Sequence, residues 1–189
     1  SCDKDFKTAL LYQKKGSNTY YISQETKSAA EFDSITERVD ASCFSISAVC
    51  DYEGSLWATL ALAKSGEDFN SYLPFLIASS EESINKKFFS STFLFILTGS
   101  DNYYSELIGK QKNTNYWQEG SDKLYDSSLA LLALQKIETM ESDNAKKYLL
   151  SIQQNSGCWS SNTPMILFSG WPKESVSIGG SGSTTSTNC

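Results

Sequence analysis

The residues able to do chemistry in this chain are carboxylates and thiols, because it has no histidine and one arginine, Arg38. Without His there is no imidazole base, no Ser–His or Cys–His nucleophile pair and no ordinary zinc site. A single Arg nearly removes bidentate clamps for phosphate or carboxylate. What remains is a set of acids, Asp51, Glu53, Asp122 and Asp126, with Tyr52 and Tyr125 beside them. Paired carboxylates hydrolyse glycosidic bonds, one as acid and the other as base or nucleophile, and tyrosine faces can stack on sugar. Glu53 and Asp126 are the pair this reading selects, with Tyr52 and Tyr125 as contact surface. The competing reading is structural. The same acids stand at the starts of apolar segments, where carboxylates cap helix N–H groups and favour the helix dipole.

Sixteen basic residues against 22 acidic ones give a net charge of −6 and a pI near 4.7. Nucleic-acid binders cluster Lys and Arg on one face, so this chemistry is excluded. No apolar run is long enough to span a membrane. The cysteines stand at 2, 43, 50, 158 and 189, with no Cys-x-x-Cys pair. No metal or other cofactor is implied. Buried thiols and disulfides both remain open. Disulfides, and with them an extracytoplasmic location, suit the Ser/Thr/Asn-rich composition better. Cys43 and Cys50 in one unbroken helix would lie roughly 10 Å apart, too far to bridge. They pair only if the chain turns between them. Ser1-Cys2-Asp3-Lys4 is not a signal peptide, which points to processing or to a piece of a longer protein. Residues 173–189 read as a flexible Gly/Ser/Thr-rich linker after one domain over 1–172.

The elements that must position these groups are helical by pattern. Apolar segments at 54–62, 87–97, 126–134 and 162–168 are apolar nearly all round, as buried helices are. Amphipathic partners at 67–78, 101–112 and 142–154 read as outer helices. Polar turns at Gly66 and Gly99 join buried helices to outer ones, Pro164 opens the last buried helix and Pro172 stops it. Residues 25–38 also have helical composition. One ending recurs. Glu106-Leu-Ile-Gly-Lys-Gln111-Lys-Asn-Thr-Asn115-Tyr-Trp117 aligns without a gap on Tyr148-Leu-Leu-Ser-Ile-Gln153-Gln-Asn-Ser-Gly157-Cys-Trp159. Leu10 to Tyr21, with Gln13, is a weaker copy. Asn in the place of Gly157 suggests a shared left-handed turn. The expectation is an all-α array of helical hairpins.

The segment Ala145 to Trp159 resembles the glutamine–tryptophan (QW) motif of the squalene/hopene cyclases. Gln111 with Trp117 is a degenerate copy. This resemblance implies a non-catalytic member of the terpene cyclase/protein prenyltransferase-like superfamily, folded as a partial or complete α/α toroid. It also implies that Gln111, Trp117, Gln153, Gly157 and Trp159 stitch repeats together, each Gln capping backbone at the next buried helix with a Trp stacked on it. The superfamily's chemistry is missing. There is no Asp-x-Asp-Asp acid, no His for the zinc site, and Gly157-Cys158 runs into Trp159 rather than a thioester sequence.

Three functions follow as expectations. The first is a non-catalytic, extracytoplasmic structural or adhesive module of a larger secreted or surface protein. Its partners would be other domains of the same chain, surface proteins or glycans. The second is a glycan-active enzyme using Glu53 and Asp126. The third is a carrier of a hydrophobic ligand in a cavity lined by Trp57, Phe93 and Phe95. Tyr20-Tyr21, Tyr103-Tyr104 and Tyr116-Trp117 read as half-buried repeat joints or contact surfaces.

Overall fold

The structure is a computed structural model that describes residues 3–173, apart from the side chains of residues 24 and 25. Most of the linker read at 173–189 and two of the cysteines, Cys2 and Cys189, lie outside the described residues. The chain divides into two compact units, residues 1–86 and 87–189.

The first unit overturns the all-α toroid. Strands β1 (Phe6–Gln13) and β2 (Tyr20–Ala29) pair antiparallel, with Leu11 opposite Ile22 and Tyr12 opposite Tyr21. Strands β3 (Ser45–Ile46) and β4 (Val49–Cys50) form a second, short ribbon. The fold is therefore mixed α and β. The segment read as a first helical copy, Leu10 to Tyr21, is a β-hairpin. Its letters matched a helix ending, but Tyr20, Tyr21, Ile22 and Thr26 in the second arm, with Phe6, Thr8 and Tyr12 in the first, favour a pleated surface. The Tyr12 and Tyr21 rings stack across the strands at 5.5 Å, the pairing that stabilises ribbons. Gly16 turns the chain at φ +85°. Residues 25–38 are not helical either. β2 runs to Ala29, and irregular chain follows, tied back by Lys27 to Glu37 at 2.7 Å.

Helices α1 (Tyr52–Ser65) and α2 (Leu73–Ser80) complete the first unit. Asp51 caps α1, accepting from Gly54 N–H at 2.7 Å. Gly66, left-handed at φ +77°, ends it, where a residue with a Cβ would be strained. Tyr52 is buried and donates its hydroxyl to the Leu76 carbonyl, 3.1 Å away.

The second unit is helical in its described part: α3 (Ser90–Thr98), α4 (Asp101–Gly109), α5 (Lys123–Leu134), α6 (Met140–Ser151) and α7 (Thr163–Gly170). α5 lies between α3 and α7, with α4 packed on α3 and α6 on α5. The core gathers Phe89, Leu107, Trp117, Leu131, Leu149, Trp159 and Ile166 among others, drawn from every helix or its flanking loop. α5 is buried at nearly every position because neighbours cover it on three sides.

Cys43 and Cys50 form a disulfide with Cα atoms 5.6 Å apart. The chain turns between them at Ser47 and Ala48, meeting the condition their spacing sets. Closing a loop of this size restricts the unfolded chain by about 2.5 kcal/mol in the loop-entropy account. We expect the Cys43→Ser/Cys50→Ser double variant to lose about that much stability in the first unit, read by urea denaturation without reductant.

Candidate functional site

The acids that sequence reading placed at helix starts are used by the backbone. Asp122 caps α5 with Oδ1, which accepts from the N–H groups of Leu124 and Tyr125 at 2.9 and 3.2 Å. Its Oδ2 accepts from Asn162 Nδ2 at 2.7 Å and from the Ser161 hydroxyl at 3.2 Å, tying the start of α5 to the residue that caps α7. Asp126 lies one turn into α5, only 2% exposed. Its Oδ2 accepts from the N–H groups of Glu119 and Gly120 at 2.8 and 2.7 Å. Burial raises its pKa above the usual carboxylate range, the two N–H donors oppose that, and the charges of Glu119 and Asp122 add to it. It anchors a loop. Glu53 is exposed on α1 in the first unit, so the proposed catalytic pair is divided between units. Tyr52 is a core residue rather than a contact surface. Tyr125 is half-buried on α5.

The recurrent endings share three hydrogen bonds. Lys112 N–H donates to Tyr116 O at 2.7 Å, and Gln154 N–H to Cys158 O at 2.9 Å. Asn115 N–H donates to Lys112 O at 2.9 Å, and Gly157 N–H to Gln154 O at 2.8 Å. Trp117 Nε1 donates to Leu107 O at 2.7 Å, and Trp159 Nε1 to Leu149 O at 2.7 Å. Every partner differs by 42 in number, as do Trp117 and Trp159. The backbone route differs. Gly157 is left-handed at φ +84°, but its counterpart Asn115 is not, and Asn113 and Thr114 take positive φ instead.

The glutamines act differently from what the resemblance implies. Gln111 Nε2 donates to Glu141 O at 2.8 Å, at the start of the outer helix α6 rather than at a buried helix. Gln153 Nε2 donates to Gly157 O at 2.7 Å, closing its own turn.

Hydroxyls at the starts of buried helices were missed by sequence reading. Trp117 N–H donates to Ser127 Oγ at 3.0 Å, and that hydroxyl lies 3.3 Å from Trp117 O, to which it donates. Trp159 N–H and O make the same pair with Thr163 Oγ1, at 2.9 and 3.4 Å. Phe44 N–H donates to Ser55 Oγ at 2.9 Å, but that hydroxyl gives its proton to Asp51 O at 2.6 Å, and Phe44 O accepts from Asp51 N–H at 2.9 Å. The available signal was a Ser or Thr in the first turns of an apolar segment, but the same signal at α3 is not used, since the buried Ser90, Ser91 and Thr92 hydroxyls make no such bond.

Surface aromatics are mostly joints. Tyr104 packs on Phe95 and Tyr116 on Tyr148, with centroids 5.4 and 5.2 Å apart. Lys123 Nζ sits 5.5 and 5.6 Å from the Tyr116 and Tyr148 centroids. Its pKa is raised, first by a hydrogen bond with Tyr148. Phe93 is 2% exposed, within the packing of α3. Lys110 bridges Glu106 at 2.6 Å and Glu119 at 3.3 Å; burial pulls its pKa down, but both carboxylates outweigh that and raise it. Among the described residues no group of three or more Cys, Asp or Glu is placed to hold a metal ion, and no helix is long and apolar enough to cross a membrane. A groove of about 490 Å³ lies in the first unit, between β1–β2, residues 36–40 and α2.

Two outcomes follow. Ser127→Ala leaves the buried Trp117 N–H without its acceptor and should cost about 1–3 kcal/mol in denaturant titration, with Ser127→Thr restoring most of it. Asp126 has a folded pKa above its unfolded value of about 3.9, so its stabilisation is fully present below the unfolded value and lost as pH rises through the folded one. The stability of the wild type relative to Asp126→Asn should therefore be greatest in acid and decline toward neutral pH, in paired unfolding titrations. No family model, curated protein or solved structure matches this chain, so its function has to be argued from this geometry.

Proposed function

We propose that this chain is a non-catalytic structural and adhesive module of a larger extracytoplasmic protein. One observation carries the reading: Asp51, Asp122 and Asp126 each spend a carboxylate oxygen on backbone N–H groups. A glycosidase needs one carboxylate free to give a proton and another facing the same bond. Here Asp126 is enclosed and Glu53 belongs to a different unit. The carrier reading needs an open lumen lined by Phe93 and Phe95, and these side chains are engaged in packing.

Location outside the cytoplasm is supported by the Cys43–Cys50 disulfide and by Cys158, which is also disulfide-bonded, since such bonds persist in oxidising compartments. A contact role is supported by the first unit, where Leu11, Tyr20, Ile22 and Phe32 are between 62% and 71% exposed. Kinship with the glutamine–tryptophan repeats of the cyclases belongs to the same proposal. It is supported by the matched bonds of Trp117 and Trp159.

The test is a reducing-sugar assay on a panel of polysaccharides, run beside binding of the same polysaccharides and of matrix proteins to the immobilised chain. Binding without turnover is expected, with Glu53→Gln indistinguishable from wild type. Sugar release that Glu53→Gln abolishes at unchanged melting temperature would overturn the reading, as would reactivity of all five cysteines in denaturant without reductant.

A further inference from the structure

The groove in the first unit is held open by walls that are fastened to one another. One wall is the β1–β2 hairpin. Its register shifts between Ala9 and Leu11, and Leu10 N–H donates to Ser23 Oγ at 2.9 Å. Irregularities of this kind re-aim side chains beside binding sites, and both Leu10 and Ser23 line the groove. The second wall is the chain at 36–40, pinned to β2 by Lys27 Nζ, which lies 2.7 Å from Glu37. The third is the single turn Asn70–Tyr72 with the start of α2. Chain leaving the second wall is tied to this turn twice. Ser42 N–H donates to Ser71 O at 2.9 Å, and Phe44 stacks on Tyr72 with centroids 4.8 Å apart. The volume of about 490 Å³ between these walls lies in the range of small-ligand sites. Walls already fixed need not be ordered by whatever binds between them.

The lining carries two chemistries. Leu10, Ile22, Val39, Leu73, Pro74 and Ile77 supply apolar surface. Five charged residues line it too, Lys27 and Arg38 against Glu37, Asp40 and Asp68. Lys27 is matched by Glu37, and Arg38 by Asp40 at 3.1 Å. Asp68 is the charge left over. Its Oδ1 accepts from Asn70 N–H at 3.0 Å. Among the described residues no Lys or Arg lies within ion-pair distance of it. A carboxylate beside an apolar wall complements a molecule that joins an ammonium to an apolar body. An anionic ligand would meet Asp68 as a like charge, and both cations of the groove already have a carboxylate. The net charge of −6 favours a cation in encounter as well.

We propose that this groove binds a small organic amine, with its apolar body against Leu10, Ile22 and Leu73 and its ammonium on Asp68. The site lies wholly within the first unit and holds whether or not the module is adhesive.

Three probes share an indole and differ in charge: tryptamine is cationic, tryptophol neutral and indoleacetate anionic. NMR titration of the isotope-labelled chain reads all three. Tryptamine should saturate with a Kd on the order of a millimolar, as small fragments do, and should shift the amides of Thr36 to Asp40 and of Asn70 to Leu73. Tryptophol should bind about threefold to fivefold more weakly, the difference one exposed ion pair makes, and indoleacetate more weakly still. Asp68→Asn keeps an acceptor for Asn70 N–H and should bring tryptamine to the affinity of tryptophol. Glu67→Gln removes the same charge one residue away, outside the lining, and should leave tryptamine binding unchanged. Thr36→Trp, which fills the groove, should weaken tryptamine and tryptophol by about tenfold or more at unchanged melting temperature. Absence of saturation by tryptamine up to roughly tenfold the expected Kd overturns the proposal. So do amide shifts that fall outside the groove, or binding that Thr36→Trp leaves intact. Indoleacetate binding as tightly as tryptamine, or Glu67→Gln costing as much as Asp68→Asn, removes Asp68 as the recognition group and overturns it equally.

Discussion

Helices α1, α5 and α7 each begin beneath a loop whose peptide groups need partners. The recurring solution is one hydroxyl on the helix. Ser55, Ser127 and Thr163 each receive the N–H of an aromatic residue in the preceding loop, and Ser127 and Thr163 return a hydrogen bond to its carbonyl. A Ser or Thr is small enough to lie inside an apolar helix without opening a void. At Trp117 and Trp159 the ring it locates fills the core, and the indole N–H reaches back to the preceding outer helix. One short side chain thus fixes a loop, a core aromatic and the angle between successive helices. Spacing along the chain varies: Ser127 follows its Trp by ten residues and Thr163 by four. The clasp therefore fixes local geometry rather than connection length.

This arrangement also decides what the carboxylates do. With the loop ahead of α5 held by Ser127, Asp126 can turn to Glu119 and Gly120, and Asp122 can span from α5 to Ser161 and Asn162. An acid raised by burial and already accepting two N–H bonds resembles a catalytic acid in its titration. Its geometry separates the two cases, because the proton it could give faces a loop backbone instead of a cavity.

The helical part was legible because its signals are redundant. Residues 126–134 read as a buried helix from composition, from the Asp at its start and from repetition, and all three agree in α5. The glycine stops at 66 and 99 followed from the one conformation that favours glycine. The first fifty residues failed for the opposite reason. Leu10-Leu11-Tyr12-Gln13 shares letters with a helix ending, and a short apolar run does not distinguish strand from helix by period alone. The cross-strand pairing of Tyr12 with Tyr21 distinguishes them. The hydroxyl clasps were invisible for another reason: Ser and Thr are common, and only the three-dimensional meeting of Ser127 with Trp117 separates a clasp from a solvated hydroxyl. Gln111 and Gln153, read within the outer helices 101–112 and 142–154, lie just past the ends of α4 and α6, and their amides reach different carbonyls.

The division of stability along the chain follows from where the core lies. The buried cluster runs from Phe89 to Ile166, whereas none of the described side chains from residue 3 to 50 is buried. A segment with so little apolar burial needs other constraints to hold one conformation. It has a disulfide, a stacked tyrosine pair, the Lys27–Glu37 bridge and the Ser55 clasp on Phe44. Local covalent and polar fastening of this kind leaves apolar side chains free to face outward, which a core-driven segment could not do. The part of the molecule poorest in core is thus the part richest in available apolar surface. The helical unit, by contrast, turns its large side chains inward to a core of its own.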